Sequence, residues 1–179
     1  CEEVGKNIRL LEMFGLPGIK NLNDYFDKKK KQKFENLKLI NTENKSTNLQ
    51  YCPIISGTSL LDQIKSLSNL NEIKFEGIAY PLLFLPFASR ASEIIGKRIL
   101  LKLDSNEFLL NFNNNIFSNF INNEIIIISN IVKIRLLENT DLFSEKEWSQ
   151  LYKLSEDTFV EESDSLKETA AGAGLTDND

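Results

Sequence analysis

Arg98-Ile99-Leu100-Leu101-Lys102-Leu103-Asp104-Ser105-Asn106-Glu107-Phe108-Leu109-Leu110-Asn111-Phe112 is the stretch whose reading decides the fold. Two apolar-rich runs, residues 98–103 and 107–112, flank Asp104-Ser105-Asn106, and Asp and Asn tolerate the backbone angles of a tight turn between antiparallel strands. A β-hairpin is therefore expected in mid-chain. On its amino-terminal side, Ile73, Phe75 and Gly77 alternate with Lys74 and Glu76, the two-residue rhythm of a half-buried strand. On its carboxyl-terminal side, residues 125–128 and 131–136 form the most apolar strand region, with an interruption expected near Ser129-Asn130. Residues 80–87 are apolar, but Pro81 and Pro86 argue against the middle of a sheet, and residues 88–95 add a helical turn or two.

Helical periods surround this strand region. Val4, Ile8, Leu11, Leu10 and Phe14 share one side of a helix over residues 4–14, and Gly15-Leu16-Pro17-Gly18 is a turn. A second helix is expected over residues 19–34, with Leu22, Tyr25 and Phe26 inward. Residues 41–50 are polar and aperiodic, a loop. Ser59 and Asp62 have the spacing of a capping box, and Leu60, Leu61, Ile64 and Leu67 carry a short helix to about Ser68. A closing helix is expected over residues 144–154, with Ser144 as N-cap, Glu145 and Glu147 near its positive end, and Trp148, Leu151 and Tyr152 inward. Amino-terminal helices, a central, mainly antiparallel sheet with a hairpin, a closing helix and a Gly/Ala-rich acidic tail make an α+β fold. Residues 1–155 read as one domain and residues 156–179 as an acidic linker and carboxyl-terminal arm.

The composition sets outer bounds. With 179 residues, 41% of them hydrophobic, the chain can build one domain with a core, which excludes disorder over its whole length. No apolar run reaches the roughly 18 residues a membrane-crossing helix needs. The absence of histidine removes Ser-His-Asp and Cys-His relays and the HExxH zinc helix, and two cysteines, Cys1 and Cys52, cannot supply a Cys₄ zinc site. Low cysteine content points to the cytoplasm.

The net charge of −5 is unevenly spread, because residues 156–179 carry −7 and the preceding 155 carry +2. Such a body has no general attraction for nucleic acid. Lys28, Lys29, Lys30, Lys31 and Lys33 form the one basic run, which reads either as a solvated helix face or as a phosphate contact. Cys1 stands ahead of a helix with no N-cap, so the expectation is a fragment lacking an upstream segment; an acylated amino-terminal Cys is the alternative.

Three segments are candidates for function. The chain carries 20 Asn, 19 Ile and 17 Lys but only 6 Ala and 4 Arg, a bias that makes the segments retaining rare residue types informative. One is the run ending in Ala88-Ser89-Arg90-Ala91, which reads as core, or as an approach to an Arg90 guanidinium holding a carboxylate or phosphate. A second is the tail, where Gly172 and Gly174 among alanines permit close backbone approach, and Asp177 and Asp179 offer oxygens to Mg²⁺ or Ca²⁺; a frayed terminus explains the same residues. A third is Cys52-Pro53-Ile54-Ile55-Ser56-Gly57-Thr58-Ser59, where Ser56, Gly57, Thr58 and Ser59 at a helix start can take up an anion. Cys52 as a nucleophile would need a base that the chain, lacking His, does not provide, and a buried structural thiol is the alternative.

Gly15-Leu16-Pro17-Gly18, Cys52-Pro53, Tyr80-Pro81-Leu82-Leu83 with Leu85-Pro86-Phe87, Trp148 with Leu151, Thr158-Phe159-Val160 and the ending Gly172-Ala173-Gly174-Leu175-Thr176-Asp177-Asn178-Asp179 carry a resemblance. The chain resembles a family of uncharacterised bacterial proteins, domains of unknown function found mainly in alphaproteobacteria, that end in a Gly/Ala-rich segment followed by Thr-Asp-Asn-Asp. The resemblance transfers no catalytic residue and names no cofactor. It implies that an upstream segment is missing and that Gly172, Gly174, Thr176, Asp177, Asn178 and Asp179 form a motif. The chain departs from it at Glu161, where Pro is usual, and at Lys167, where Arg is usual. The functional expectation is a binding or accessory domain for a protein partner or a small anionic ligand, with neither nucleic acid nor membrane as partner and oligomeric state open. The alternative is a small carboxylate- or divalent-metal-dependent enzyme without histidine.

Overall fold

The alternating segments become a sheet in the computed structural model, which describes residues 2–121, 123–138, 140, 142–156 and 158. The chain divides into two units, residues 1–139 and 140–179. In the first, helices α1 (Glu2–Met13) and α2 (Gly18–Lys29) precede strand β1 (Glu43–Lys45), helix α3 (Pro53–Leu67), strand β2 (Glu72–Ala79), a 3₁₀ turn (Pro81–Leu83) and helix α4 (Leu85–Ile95). Strands β3 (Arg98–Leu103), β4 (Asn106–Leu110), β5 (Ile116–Ser118) and β6 (Ile128–Leu137) follow. The second unit holds helix α5 (Glu145–Glu156).

The strands form one sheet in the order β1-β2-β6-β3-β4-β5, in which β1 runs parallel to β2 and every other neighbouring pair is antiparallel. This is the expected α+β fold, with the expected hairpin as β3 and β4. Side-chain alternation fixes which face is covered. Ile73, Phe75, Ile99, Leu101, Leu103, Phe108, Val132 and Ile134 are buried, each worth about 1.5–3 kcal/mol relative to exposure. Between them, Glu72 of β2 forms ion pairs with Lys133 Nζ at 3.3 Å and Arg135 Nε at 3.7 Å on β6, and Lys102 pairs with Glu107 across the hairpin. A slip of one residue would bury these charges, so the register is strongly specified.

Several boundaries differ from the sequence expectation. β6 is continuous through Ser129-Asn130: Ser129 is buried and donates its hydroxyl to Ile131 O at 3.0 Å. Beyond the end of β3, the Asp104 carboxylate accepts the N–H groups of Asn130 (3.2 Å) and Ile131 (2.9 Å), taking the place of a strand neighbour. Residues 125–127 precede the strand rather than belonging to it. The polar 41–50 segment contains β1, because the buried Asn44 amide donates to Asn41 O at 2.7 Å and Lys74 O at 3.0 Å and so replaces the missing apolar anchor. α2 stops at Lys29, short of Phe34. In α5, Ser144 N–H and Oγ both bond Glu147 Oε2 at 2.7 Å while Glu147 N–H donates back to Ser144 Oγ, the expected cap. Trp148, Leu151 and Tyr152, expected inward, are half or more exposed.

α3 begins at Pro53, two turns earlier than the Ser59 capping box suggested. Proline suits a first helical position because its missing N–H would have no intrahelical acceptor there. The early start brings Gly57 against α4: a Cβ at Gly57 would lie 2.3 Å from Phe87 Cδ2, so only glycine permits this approach. Ala88 and Ala91 are fully buried, and the 80–89 run is core. Their retention in a chain poor in alanine has a packing reason.

Candidate functional site

A cleft of about 310 Å³ lies where the end of α2 meets the first turn of α3. Tyr25 and Lys29, one helical turn apart, bring α2 to it. The chain then leaves the helix and contributes Gln32, Lys33, Phe34 and Asn36 before Cys52 and Ile55 close the other side.

This irregular segment is held by long-range bonds. Glu35 forms a parallel bridge with Tyr51, donating N–H to Gln50 O at 2.8 Å and accepting Cys52 N–H at 2.8 Å. Tyr51 in turn bridges Ile78 at the sheet, donating to Gly77 O at 2.7 Å and accepting Ala79 N–H at 3.1 Å. The left-handed φ of 77° at Gly77 interrupts the strand alternation at this junction. Further along, α3 pins the segment with Ser59 Oγ donating to Leu37 O (2.8 Å), and with Gln63, which donates to Lys38 O (2.8 Å) and accepts Ile40 N–H (3.1 Å).

Tyr25 and Phe34 give the cleft an aromatic side. The Tyr25 hydroxyl and the Cys52 thiol are hydrogen-bonded at 3.1 Å, and the Tyr25 ring stacks on Phe34 with centroids 5.3 Å apart. The edge of Tyr80 meets Tyr25 at 5.8 Å, and the Tyr80 hydroxyl donates to Asp24 Oδ2 at 2.5 Å. Burial first, then the bond to Cys52, pushes Tyr25 ionisation well above the ordinary phenol range. Tyr80 is raised as well, by burial and then by Asp24. Both hydroxyls therefore stay neutral at ordinary pH.

The rim is cationic. Lys29 Nζ sits 5.7 Å from the Tyr25 ring centroid, and Lys33 stands on the same cleft. Within the same run Lys30 is committed to Asp27 at 2.9 Å, which holds the Asp27 carboxyl below its ordinary range. At the first turn of α3 the N-cap Cys52 provides no side-chain cap, and Pro53 has no N–H, so the donors of that turn are the amides of Ile54 and Ile55.

The sequence candidates are distributed differently. Ser56 follows the first turn, its N–H bonded to Cys52 O at 3.0 Å and its fully buried hydroxyl without a partner. Gly57 packs on Phe87, Thr58 Oγ1 donates to Ile55 O at 2.9 Å, and Ser59 holds Leu37. The cleft thus meets the helix start at Cys52 and Ile55, not at residues 56–59, because the helix begins earlier than expected. Arg90 is exposed on α4 and is not among the residues lining this cleft. Gly172, Gly174, Thr176, Asp177, Asn178 and Asp179 lie outside the described residues, as do Ala170, Ala171 and Ala173. Among the described residues, no three of His, Cys, Asp and Glu cluster closely enough to hold a metal ion, and no helix is long and apolar enough to cross a membrane.

Sequence reasoning missed Tyr25, Gln32, Phe34 and Asn36 as site residues. The available signal was the Lys28 to Lys33 run, whose phosphate-contact reading named two residues that the cleft now brings together.

Residues 1–51 match the model of a protein family of unknown function, DUF3726. That stretch supplies the α2 side and the connecting segment of the cleft, and ends one residue before Cys52. No curated protein and no solved structure matches the chain.

Proposed function

We propose that the first unit is a binding domain for a small anionic ligand, taken up in the cleft between the end of α2 and the start of α3. The observation that carries this reading is the placement of Lys29 and Lys33 on a 310 Å³ cleft bordered by the uncapped first turn of a fifteen-residue helix. Two ammonium groups and the positive end of a helix favour the same sign of charge, and the cleft volume lies at the lower end of the range for small-molecule sites. Gln32 and Asn36 add amide donors, and the neutral Tyr25 hydroxyl puts no competing negative charge in the cleft. A reducing, cytoplasmic setting accords with Cys52 as a buried free thiol.

Inorganic phosphate and a short dicarboxylate such as malonate are the probes. A ligand that binds only the folded state raises Tm, and at about a hundredfold excess over Kd adds about 2.7 kcal/mol of stability. Such a rise is expected with one or both probes and should be lost in the Lys29→Glu/Lys33→Glu double variant. An unchanged Tm with both, together with no heat of binding by calorimetry, would refute the reading.

A further inference from the structure

The cleft has an apolar side as well as a cationic one. Tyr25 and Cys52 are buried and bonded to each other at 3.1 Å, so the apolar surface that a ligand meets is that of Phe34 and Ile55, which are only partly buried. Phe34 is held in place. Its ring stacks on Tyr25 with centroids 5.3 Å apart and planes 21° from parallel, and Tyr25 is fixed in turn by Phe26 at 5.4 Å and by the edge of Tyr80 at 5.8 Å. The next residue, Glu35, is locked into its bridge with Tyr51 through Gln50 O and the N–H of Cys52. In extended backbone, side chains two residues apart share a side, and Phe34 and Asn36 accordingly both reach the cleft. A ring supported in this way loses little freedom when a second ring is laid on it, and such pre-organisation favours binding.

The cations stand beside this platform. Lys29 Nζ lies 5.7 Å from the centroid of the same Tyr25 ring that carries Phe34, and Lys33 immediately precedes Phe34 in the chain. Lys29 and Lys33 favour an anionic group, whereas Phe34 and Ile55 do not, because an anion set against apolar side chains loses hydration without gaining hydrogen bonds. A ligand that suits both sides carries a charged group and a flat apolar part on a short connection, and a cleft of about 310 Å³ has room for both. We infer that the ligand is an aryl-type anion, a planar ring bearing a phosphate or carboxylate group, whose ring stacks on Phe34 while its charge meets Lys29 and Lys33. This ligand class rests on the anion-binding reading of the cleft and narrows it. Stacked and edge-to-face rings attract each other beyond the area they bury, which sets a planar ring above a saturated one of similar size.

The test uses the full chain and calorimetry with matched ligands. Phenyl phosphate is set against inorganic phosphate and cyclohexyl phosphate, and phthalate against malonate and cyclohexanedicarboxylate. In at least one set the aryl member should bind with a Kd about tenfold or more below that of the ring-free anion, and severalfold below that of the saturated ring. Phe34→Leu, which keeps an apolar side chain but no ring, should remove the preference for the aryl member over the saturated one, with circular dichroism checking that the variant is folded. Upfield shifts of the bound aryl protons, read by NMR on the unaltered chain, report the same stacking if that variant does not fold. Lys29→Glu/Lys33→Glu should lose the aryl ligand. An aryl member that binds no more tightly than its ring-free or saturated counterpart would overturn this inference and leave the anion cleft standing, as would a preference that survives Phe34→Leu. Aryl binding that survives the double lysine variant would overturn it too, because the ligand would then sit elsewhere. No binding by any of these ligands would refute the anion reading itself, and this inference with it.

Discussion

α2 and α5 are both twelve-residue helices that carry aromatic residues among lysines and carboxylates, yet they meet different environments. α2 buries Gly18, Asn21 and Tyr25, with Tyr25 completely inaccessible and touching Phe34, Tyr80 and Cys52. α5 buries no described residue. Local sequence thus specifies that a helix forms, and leaves open what covers it. Periodicity is local, whereas cover is supplied by segments far away in sequence.

The largest expected effect tests this contrast directly. Tyr25→Ala removes a fully buried ring and should cost about 3–5 kcal/mol, whereas Tyr152→Ala removes an exposed one and should stay within about 0.5 kcal/mol. Chemical denaturation of the two variants checks both figures. Similar losses would show that α5 is covered as α2 is.

The second effect concerns alkaline pH. Burial is the first cause that raises the ionisation of Tyr25, Tyr51 and Tyr80 above the ordinary 10.0, followed by Cys52 for Tyr25, Glu35 and Glu76 for Tyr51, and Asp24 for Tyr80. In the unfolded chain these phenols ionise near the ordinary value. The folded state therefore holds more protons above that pH, so the stabilisation is complete below about pH 10 and declines as pH rises beyond it. Tyrosinate absorbance followed together with circular dichroism should show these phenols ionising as the structure unfolds. Smooth ionisation with the structure intact would mean that these rings are open to solvent.

The smallest effect lies in α5. Ser144→Ala removes the hydroxyl of the cap and should cost the helix about 0.5–2 kcal/mol, read as lower amide-exchange protection in its first turn. Unchanged protection would mean that something other than the cap holds this end.

Much of the sheet was legible in the sequence, and the reasons are local. Alternation at Ile73 and Phe75 and the Asp104 turn each involve neighbours along the chain, so the strand and the hairpin could be read from short windows. The break expected at Ser129-Asn130 was misplaced because two polar residues interrupt an apolar run, and the Asp104 carboxylate that satisfies their end of the strand comes from another turn. The start of α3 was missed because Ser59 looked like a cap, while its hydroxyl is used by Leu37, far behind it in sequence.

The site was less legible, for the same reason on a larger scale. Lysines at the end of α2 announce a positive surface but not what faces it. The Tyr25 to Cys52 bond, the Glu35, Tyr51 and Ile78 bridges and the Gly57 to Phe87 contact each join segments separated by long stretches of chain.

The sequence by itself determined that this protein has a hairpin-centred sheet with one buried face, helices on either side of it in sequence, and a capped helix after the sheet. Those features arise from side-chain periodicity, turn chemistry and capping, whose partners lie within a few residues. Tertiary structure alone decided that β6 lies between β2 and β3, that α3 starts at Pro53, and that Lys29, Lys33, Tyr25 and Cys52 share one cleft. These outcomes depend on which distant surfaces fill one another's space and complete one another's hydrogen bonds, and that is settled only when the whole chain packs.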